Sequence, residues 1–562
     1  MKLGYTVEKN TQILISLLKA HGIKKVIASP GTTNVSFIIS IQNDPFFEVF
    51  SAVDERAAAF MACGMAEETG EAVVLSCTGA TASRNYIPGL TEAYYKKLPI
   101  LAVTSTQHTG KAGSYSAQFI DRSQQFVDLV KLSVQSDVVH TKETEEFEVN
   151  AINNAILELF HNEPGPVHIN LATTFSNDFS VEKLPCYRVV KRIDKTNDFP
   201  ELTEKKIGVY IGAHAVFDSE TTAAIDCFCA SYNAIVLCDQ TSNYRGKYRV
   251  LASLINSQLF FSESTIQFDI IIYIGYVSGA YLNIRPYELW RVNPDGEFRD
   301  PLNKLTYVFE MTEREFFEYY AKKGSNNTEL LSQCKRERSF IESKIPELPF
   351  SNIWIAQHTA NLIPENSVLH FGILNSLRSW NYFETPETVS CFCNTGGFGI
   401  DGCLSSLVGA ALVHPDKQYY CILGDLAFFY DVNVMFATIP TNIHILIVNN
   451  GIGVEFKNYS HRCAAFGKDA DPFVAAEGHN GCKSPELIKN VTKCLDINYL
   501  SASSKDEFLS LINQWIKPGD KATVFEVFIE EKNDVSALRT LNMLGINMKK
   551  RVMNKVRRMF KK

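Results

Sequence analysis

The chain has 562 residues, of which 46% are hydrophobic, 21% charged and 11% aromatic, and its formal net charge is −7. These values exclude disordered, collagen-like and coiled-coil classes, and the length predicts about three to four domains. The 14 cysteines follow no framework spacing and read as buried small hydrophobes in a reducing cytoplasm.

Charge is unevenly distributed. Residues 549–562 hold eight Lys/Arg and no acid, which leaves about −15 on the rest of the chain. An acidic body argues against nucleic acid as a main partner. The longest apolar stretch, residues 270–277, is far too short to span a bilayer. Glu8, Lys9, Asn10, Thr11 and Gln12 interrupt any signal-peptide pattern near the start. A cytoplasmic protein is expected.

In chain order, a helix is predicted over 11–21 and a strand over 25–28, ending at the turn Ser29-Pro30-Gly31. A strand follows over 49–53, a helix over 55–69, and strands over 72–76 and 99–105. Residues 180–206 are polar and aperiodic, and predict a linker. A second block runs from 207 to about 335, with IGVYIG, AIVLCD, FDIIIYIG and LTYVFE as strands. A charged helix over 329–344, N-capped by Thr328, leads to a third block. Its strands are VLHFG, TVSCF, YYCILGD, IHILIVNN and TVFEVFI. Continuously apolar strands alternating with amphipathic helices predict α/β folds with doubly wound parallel sheets. The first and third blocks share size and layout, as a duplicated architecture would, without a residue-level repeat.

The chemistry-bearing strings lie at strand ends. Gly424-Asp425-Leu426 closes one apolar strand, and Asn450 closes another, 25 positions after Asp425. Ligands bind at the C-terminal edge of a parallel sheet. A carboxylate and an amide oxygen there are hard donors that suit Mg²⁺, which usually also takes phosphate oxygens and water. Backbone N–H groups opening a helix after Gly424 favour a diphosphate. Two ordinary strand-end turns are the competing reading. In Val53-Asp54-Glu55-Arg56-Ala57, a Glu stands at a strand end and a helix start, where an acid also satisfies the helix dipole.

Taken together, these strings resemble the thiamine-diphosphate-dependent decarboxylase and carboligase family along nearly the whole chain. The resemblance implies three doubly wound domains: pyrimidine-binding over 1–180, central over 207–345 and diphosphate-binding over 350–545, followed by a basic tail over 546–562. It implies that Glu55 hydrogen-bonds the aminopyrimidine ring and drives its tautomerisation. It also implies that Asp425, Asn450 and the carbonyl of Ile452 bind Mg²⁺. Asn394, Gly399, Gly424, Leu426 and Ala427 complete the implied cofactor site, with Ile400 as the apolar wedge that bends the cofactor. Ser29-Pro30-Gly31, Asn375-Ser376-Leu377, Asn394-Thr395-Gly396-Gly397-Phe398-Gly399-Ile400-Asp401-Gly402 and Tyr430-Asp431-Val432-Asn433 resemble the SEPHCHC synthase branch, the menaquinone-pathway carboligases. Gln118 matches a polar active-site residue of that branch, and Thr32, Thr33 and Asn34 fall in its substrate loop.

That branch holds multiply charged acids with arginine and lysine, the side chains suited to bidentate carboxylate recognition. Here Thr33, Gln107, Trp380, Thr395 and Ala280-Tyr281 stand at the matching positions, with Arg378 nearby. The cofactor machinery is retained and the substrate pocket is rebuilt. His108 and Glu455 are weaker acid/base candidates, and Cys391, Cys393 and Cys403 lack zinc spacing. Gly212, Gly275 and Gly279 form no dinucleotide fingerprint.

The expected activity is carboligation: decarboxylation of a 2-oxo acid donor, then addition to an aldehyde or ketone acceptor, with a sugar or surface-glycan precursor as one candidate. Simple 2-oxo acid decarboxylation is one alternative, and a catalytically silent cofactor-binding relative is another. The resemblance implies a homodimer or homotetramer. In the tail, Val552, Val556, Met559 and Phe560 share a helical face among cations, which suits an anionic membrane surface. A frayed terminus and a helix docked on the acidic body are the competing readings.

Overall fold

A computed structural model of the chain describes residues 4–258, 267–280, 283–322, 324–479 and 484–544. The tail over 546–562 and the matching position Tyr281 therefore lie outside the described residues.

Three parallel sheets carry the fold. The first is built from β1 (Lys25–Ala28), β2 (Glu48–Ser51), β3 (Val73–Cys77), β4 (Ile100–Thr106), β5 (Ser133–Ser136) and β6 (Val167–Ala172), in the order β2-β1-β3-β4-β6-β5. The second contains β7 (Lys191–Ile193), β8 (Ile207–Ile211), β9 (Ile235–Cys238), β10 (Arg249–Leu251), β11 (Gln267–Ile274), β12 (Arg285–Val292) and β13 (Leu305–Phe309). Its order is β10-β9-β8-β11-β12-β13-β7. The third contains β14 (Val368–Phe371), β15 (Ser390–Cys393), β16 (Tyr419–Gly424), β17 (Ile443–Asn449), β18 (Asn498–Ala502) and β19 (Thr523–Phe528), in the order β15-β14-β16-β17-β19-β18. Renumbered from its own first strand, the third sheet repeats the order of the first. The duplicated architecture thus exists at the level of topology. In each of these two sheets the chain reverses its direction of winding between β1 and β3 or between β14 and β16, and again at the β6–β5 or β19–β18 edge.

Two compact units emerge, one formed by Met1–Phe199 with Leu289–Met311, the other by Pro200–Glu288 with Thr312 onward. In the first unit, β3 and β4 are buried at every residue, which is why they are apolar over most of their length. The helix Lys9–Ala20 covers one face of the first sheet with Ile13, Leu14, Leu17 and Leu18. Each such side chain contributes about 1.5–3 kcal/mol on burial. The helix Glu55–Thr69 covers the other face with Ala58, Ala59, Ala62, Cys63 and Ala66. Small side chains let that helix sit close to its neighbours. Gly89, on the helix Ile87–Lys96, has no room for a side chain: a Cβ there would stand 2.4 Å from the Ala59 Cβ.

The predicted helix over 55–69 is found with those bounds because both ends are written in the sequence. The Asp54 carboxylate accepts hydrogen bonds from the N–H groups of Arg56 (2.9 Å) and Ala57 (3.3 Å). Gly70, at φ +67°, ends the helix with its N–H bonded to the Ala66 carbonyl.

Two local expectations need correction. The polar stretch 180–206 is not only a linker: it contributes β7, paired in parallel with β13. Thr328 does not cap the helix Glu329–Glu342, since its side chain makes no capping bond; Asn327 Oδ1 accepts from the Glu329 N–H instead, at 3.2 Å. Among the described residues no helix is long and apolar enough to cross a membrane.

Candidate active site

In the second unit, Asp425 follows directly on β16 and opens the short helix Asp425–Tyr430. Its side chain is 3% exposed. Oδ2 accepts from the Gly451 N–H at 3.1 Å and lies 3.0 Å from His479 Nε2. Asn450 follows β17, the neighbour of β16 in the sheet, so strand pairing alone brings the two residues to one edge. Asn450 Oδ1 accepts from the Ile452 N–H at 3.2 Å, and its Nδ2 donates to Asp534 Oδ2 at 3.3 Å. Asp534 therefore fixes which end of the amide is the oxygen. Asp534 also accepts from the Asn352 N–H at 2.7 Å, and burial pushes its carboxyl up to about 6.

This donor set fits a hard divalent cation. Asp425 supplies a buried carboxylate that pairs with no Lys or Arg among the described residues, and Asn450 and Ile452 add neutral oxygens. No group of three or more His, Cys, Asp or Glu forms a metal cluster among the described residues; two donors here are an amide and a backbone carbonyl.

The string 394–402 follows β15, beside β14. Asn394 Oδ1 accepts from Ser406 Oγ at 3.2 Å. A Cβ on Gly399 would stand 2.3 Å from Asp401 Oδ1, so a larger residue there would displace the Asp401 carboxylate. Ile400 is half-buried against the third-sheet core, while Leu426 is half-buried and Ala427 buried.

Glu455 and Arg378 were separate candidates in sequence. The structure joins them in an ion pair, with Glu455 Oε2 also accepting from Asn458 Nδ2 at 3.1 Å. Trp380 is fully buried, its ring 5.6 Å from that of Phe371, and Thr395 is 5% exposed. These two departures from the family pattern are absorbed into packing.

In the first unit, Glu55 is the first residue of its helix and is half-buried, beyond the end of β2. Thr32 is exposed, whereas Thr33 and Asn34 are buried. Thr33 Oγ1 lies 2.6 Å from Thr78 Oγ1 and donates to the Ser105 carbonyl at 3.2 Å. Asn34 Nδ2 donates to the Ser29 carbonyl at 2.9 Å. Gln118 is exposed, with a left-handed backbone at φ +58°. His108 caps a short 3₁₀ turn, its Nδ1 accepting from the Gly110 N–H at 3.0 Å. Sequence reasoning missed Asp534, His479 and Arg122. Each comes from a segment with no recognisable motif, and only the fold brings it to a strand end.

A model of the thiamine pyrophosphate enzyme, N-terminal TPP binding domain, matches residues 9–128. A 2-succinyl-5-enolpyruvyl-6-hydroxy-3-cyclohexene-1-carboxylate synthase of Bacteroides fragilis is 30% identical over 488 residues, 82% of this chain and 87% of the relative. The enzyme of the same name from Phocaeicola vulgatus is 28% identical over 568 residues, 95% of this chain and 98% of the relative. The chain belongs to the thiamine-diphosphate-dependent enzyme family, on the branch that holds these synthases. Its cofactor is thiamine diphosphate with a divalent metal, Mg²⁺ as usual.

Proposed function

We propose that this protein is a carboligase that decarboxylates a 2-oxo acid and adds the remaining acyl fragment to an aldehyde or ketone. The single observation that carries this reading is the oxygen donor set of Asp425, Asn450 and Ile452 at the β16–β17 edge, in a chain related to synthases over most of its length. Thiamine diphosphate, when bound, would supply a nucleophilic carbon and an electron sink for loss of CO₂. Asp425, Asn450 and the Ile452 carbonyl would hold its metal. Asp534 keeps the Asn450 oxygen turned toward it. Glu55 exchanges a proton with the aminopyrimidine ring. The 1–180 segment binds the pyrimidine and the 350–545 segment the diphosphate.

The joined product is expected to differ from the one for which the related synthases are named. Thr33, Gln107, Trp380 and Thr395 cannot pair with the carboxylates that arginine would hold, and Trp380 and Thr395 are buried in packing. The test is CO₂ release from a panel of 2-oxo acids, with and without aldehydes, followed by product analysis. A joined product is expected. CO₂ release with only a simple aldehyde as product would favour plain decarboxylation. No turnover of any 2-oxo acid would overturn both readings.

A further inference from the structure

Arg122 is the most conspicuous charge that the proposed reaction leaves unused. It is 2% exposed. Its Nη2 donates to the Ser105 carbonyl at 3.0 Å, while Nε and Nη1 are buried without any acceptor. No carboxylate among the described residues pairs with it. Burial lowers its pKa to about 10, and the nearby Arg84 pushes the same way, yet it stays charged at neutral pH. A buried guanidinium without a counter-charge is unfavourable.

The surroundings are those of a ligand site. Ser29 follows β1, Thr78 and Gly79 follow β3, and Ser105 lies near the end of β4. The β1–β3 boundary is a point where winding reverses in the first sheet, the kind of place where open parallel sheets bind ligands. Ser105, whose carbonyl accepts from the guanidinium, also buries its Oγ without a hydrogen-bond partner. Unsatisfied buried polar atoms are rare in a folded chain. Gly79 packs directly against the guanidinium: a Cβ there would stand 3.5 Å from Nη1 and only 3.2 Å from the Gln118 carbonyl oxygen. Two non-glycine residues beside it, Ala80 at φ +55° and Gln118 at φ +58°, hold strained backbone. Thr33, at the position where the family pattern has arginine, shares the Ser105 carbonyl with Arg122. Cys77, at the end of β3, feels both Glu55 and Arg122, so the cation lies in the neighbourhood of the catalytic acid.

We propose that Arg122 is the substrate-binding residue that receives a carboxylate of the 2-oxo acid. This rests on the carboligase reading for the identity of its ligand. The cation lost at Thr33 is thereby supplied from a different element, and the rebuilt pocket still takes an anionic donor.

The test uses the full-length protein loaded with thiamine diphosphate and Mg²⁺, as wild type, Arg122→Gln and Arg122→Lys. Melting midpoints are measured with millimolar pyruvate, 2-oxoglutarate or inorganic phosphate against chloride at equal ionic strength. Wild type should be stabilised by at least one 2-oxo acid. Arg122→Gln should lose that shift, and Arg122→Lys, which keeps the charge without the fork, should retain part of it. In turnover, Arg122→Gln should raise KM by a factor of about 30 or more, with the larger part of the effect in KM. Removing the unpaired charge should leave the ligand-free midpoint unchanged or higher. Equal carboxylate shifts in wild type and Arg122→Gln would overturn the proposal, as would stabilisation through Arg122 by phosphate alone. A lower ligand-free midpoint with unchanged KM would make Arg122 a structural cation and also overturn it. If Arg122→Gln fails to fold, Arg122→Lys decides by the same two readouts. An Arg122-dependent carboxylate shift without turnover would sink the carboligase reading and keep this one; turnover with unchanged KM would do the reverse.

Discussion

Glu55 is free to work because it is not needed to hold its helix. The cap is made by Asp54, whose carboxylate takes the first N–H groups. Glu55→Gln should therefore leave the melting midpoint nearly unchanged. The amide cannot share the proton that drives tautomerisation, so deuterium exchange at C2 of the bound cofactor should slow by about 100-fold or more. A normal exchange rate in the variant would refute the role. Glu148 is a different acid. It is buried, accepts from Ser136 Oγ at 2.7 Å and from the Asp137 N–H at 2.8 Å, and burial pushes its carboxyl from 4.5 up to about 7. Between those values the folded chain keeps a proton that the unfolded chain has lost, so stability falls as pH rises through this window. Glu148→Gln should remove that share of the slope and exceed wild type above pH 7 by up to about 3 kcal/mol, read from urea midpoints across pH. An unchanged slope would assign it to other groups.

At the level of elements, the seating of the Glu55 helix rests on the contact between Gly89 and Ala59. Gly89→Ala would place a Cβ 2.4 Å from the Ala59 Cβ and 2.9 Å from its backbone carbon. The two helices must part, at a cost of about 1–3 kcal/mol. A lower thermal midpoint is expected, with partial recovery in the double variant carrying Ala59→Gly; no loss in Gly89→Ala would show that the interface yields freely. The same helix was legible in sequence because Asp54 and Gly70 mark both of its ends. The apolar strands β3, β4, β16 and β17 were legible because burial on both faces leaves no polar residue in most of their length. β7, with the sequence KRI, and β12, with RPYELWRV, were missed. One is three residues long and carries two cations, and the other contains proline and charged residues. Neither shows a strand period. The paired oxygen donors were readable because strand ends can be located. Asp534 and Arg122 reach their sites from a helix and a loop whose local sequence has no signal for them.

At the scale of the whole molecule, one face of the Glu55 helix remains apolar and open. Val53 just before it, and Phe60 and Met61 on it, are 77%, 46% and 41% exposed. Such a patch marks an interaction surface, and a second copy of the chain is the partner the family resemblance implies. If each site draws Glu55 from one copy and Asp425 from the other, a mixture of Glu55→Gln and Asp425→Ala chains should regain activity, because one site type is then wild type at both positions. A stable, active monomer in light scattering would exclude this arrangement. The first compact unit is drawn from two separate stretches, and this has a consequence for synthesis. β7 emerges with residues 191–193, but its one neighbour among the described strands, β13, is not made until residues 305–309. At about 10 residues per second the ribosome needs roughly ten seconds to supply it. Until then the nascent chain carries an unfinished edge. A stall or a rare-codon cluster in that interval prolongs the exposure, and a transcript ending there yields a fragment with a strand and nothing to pair it.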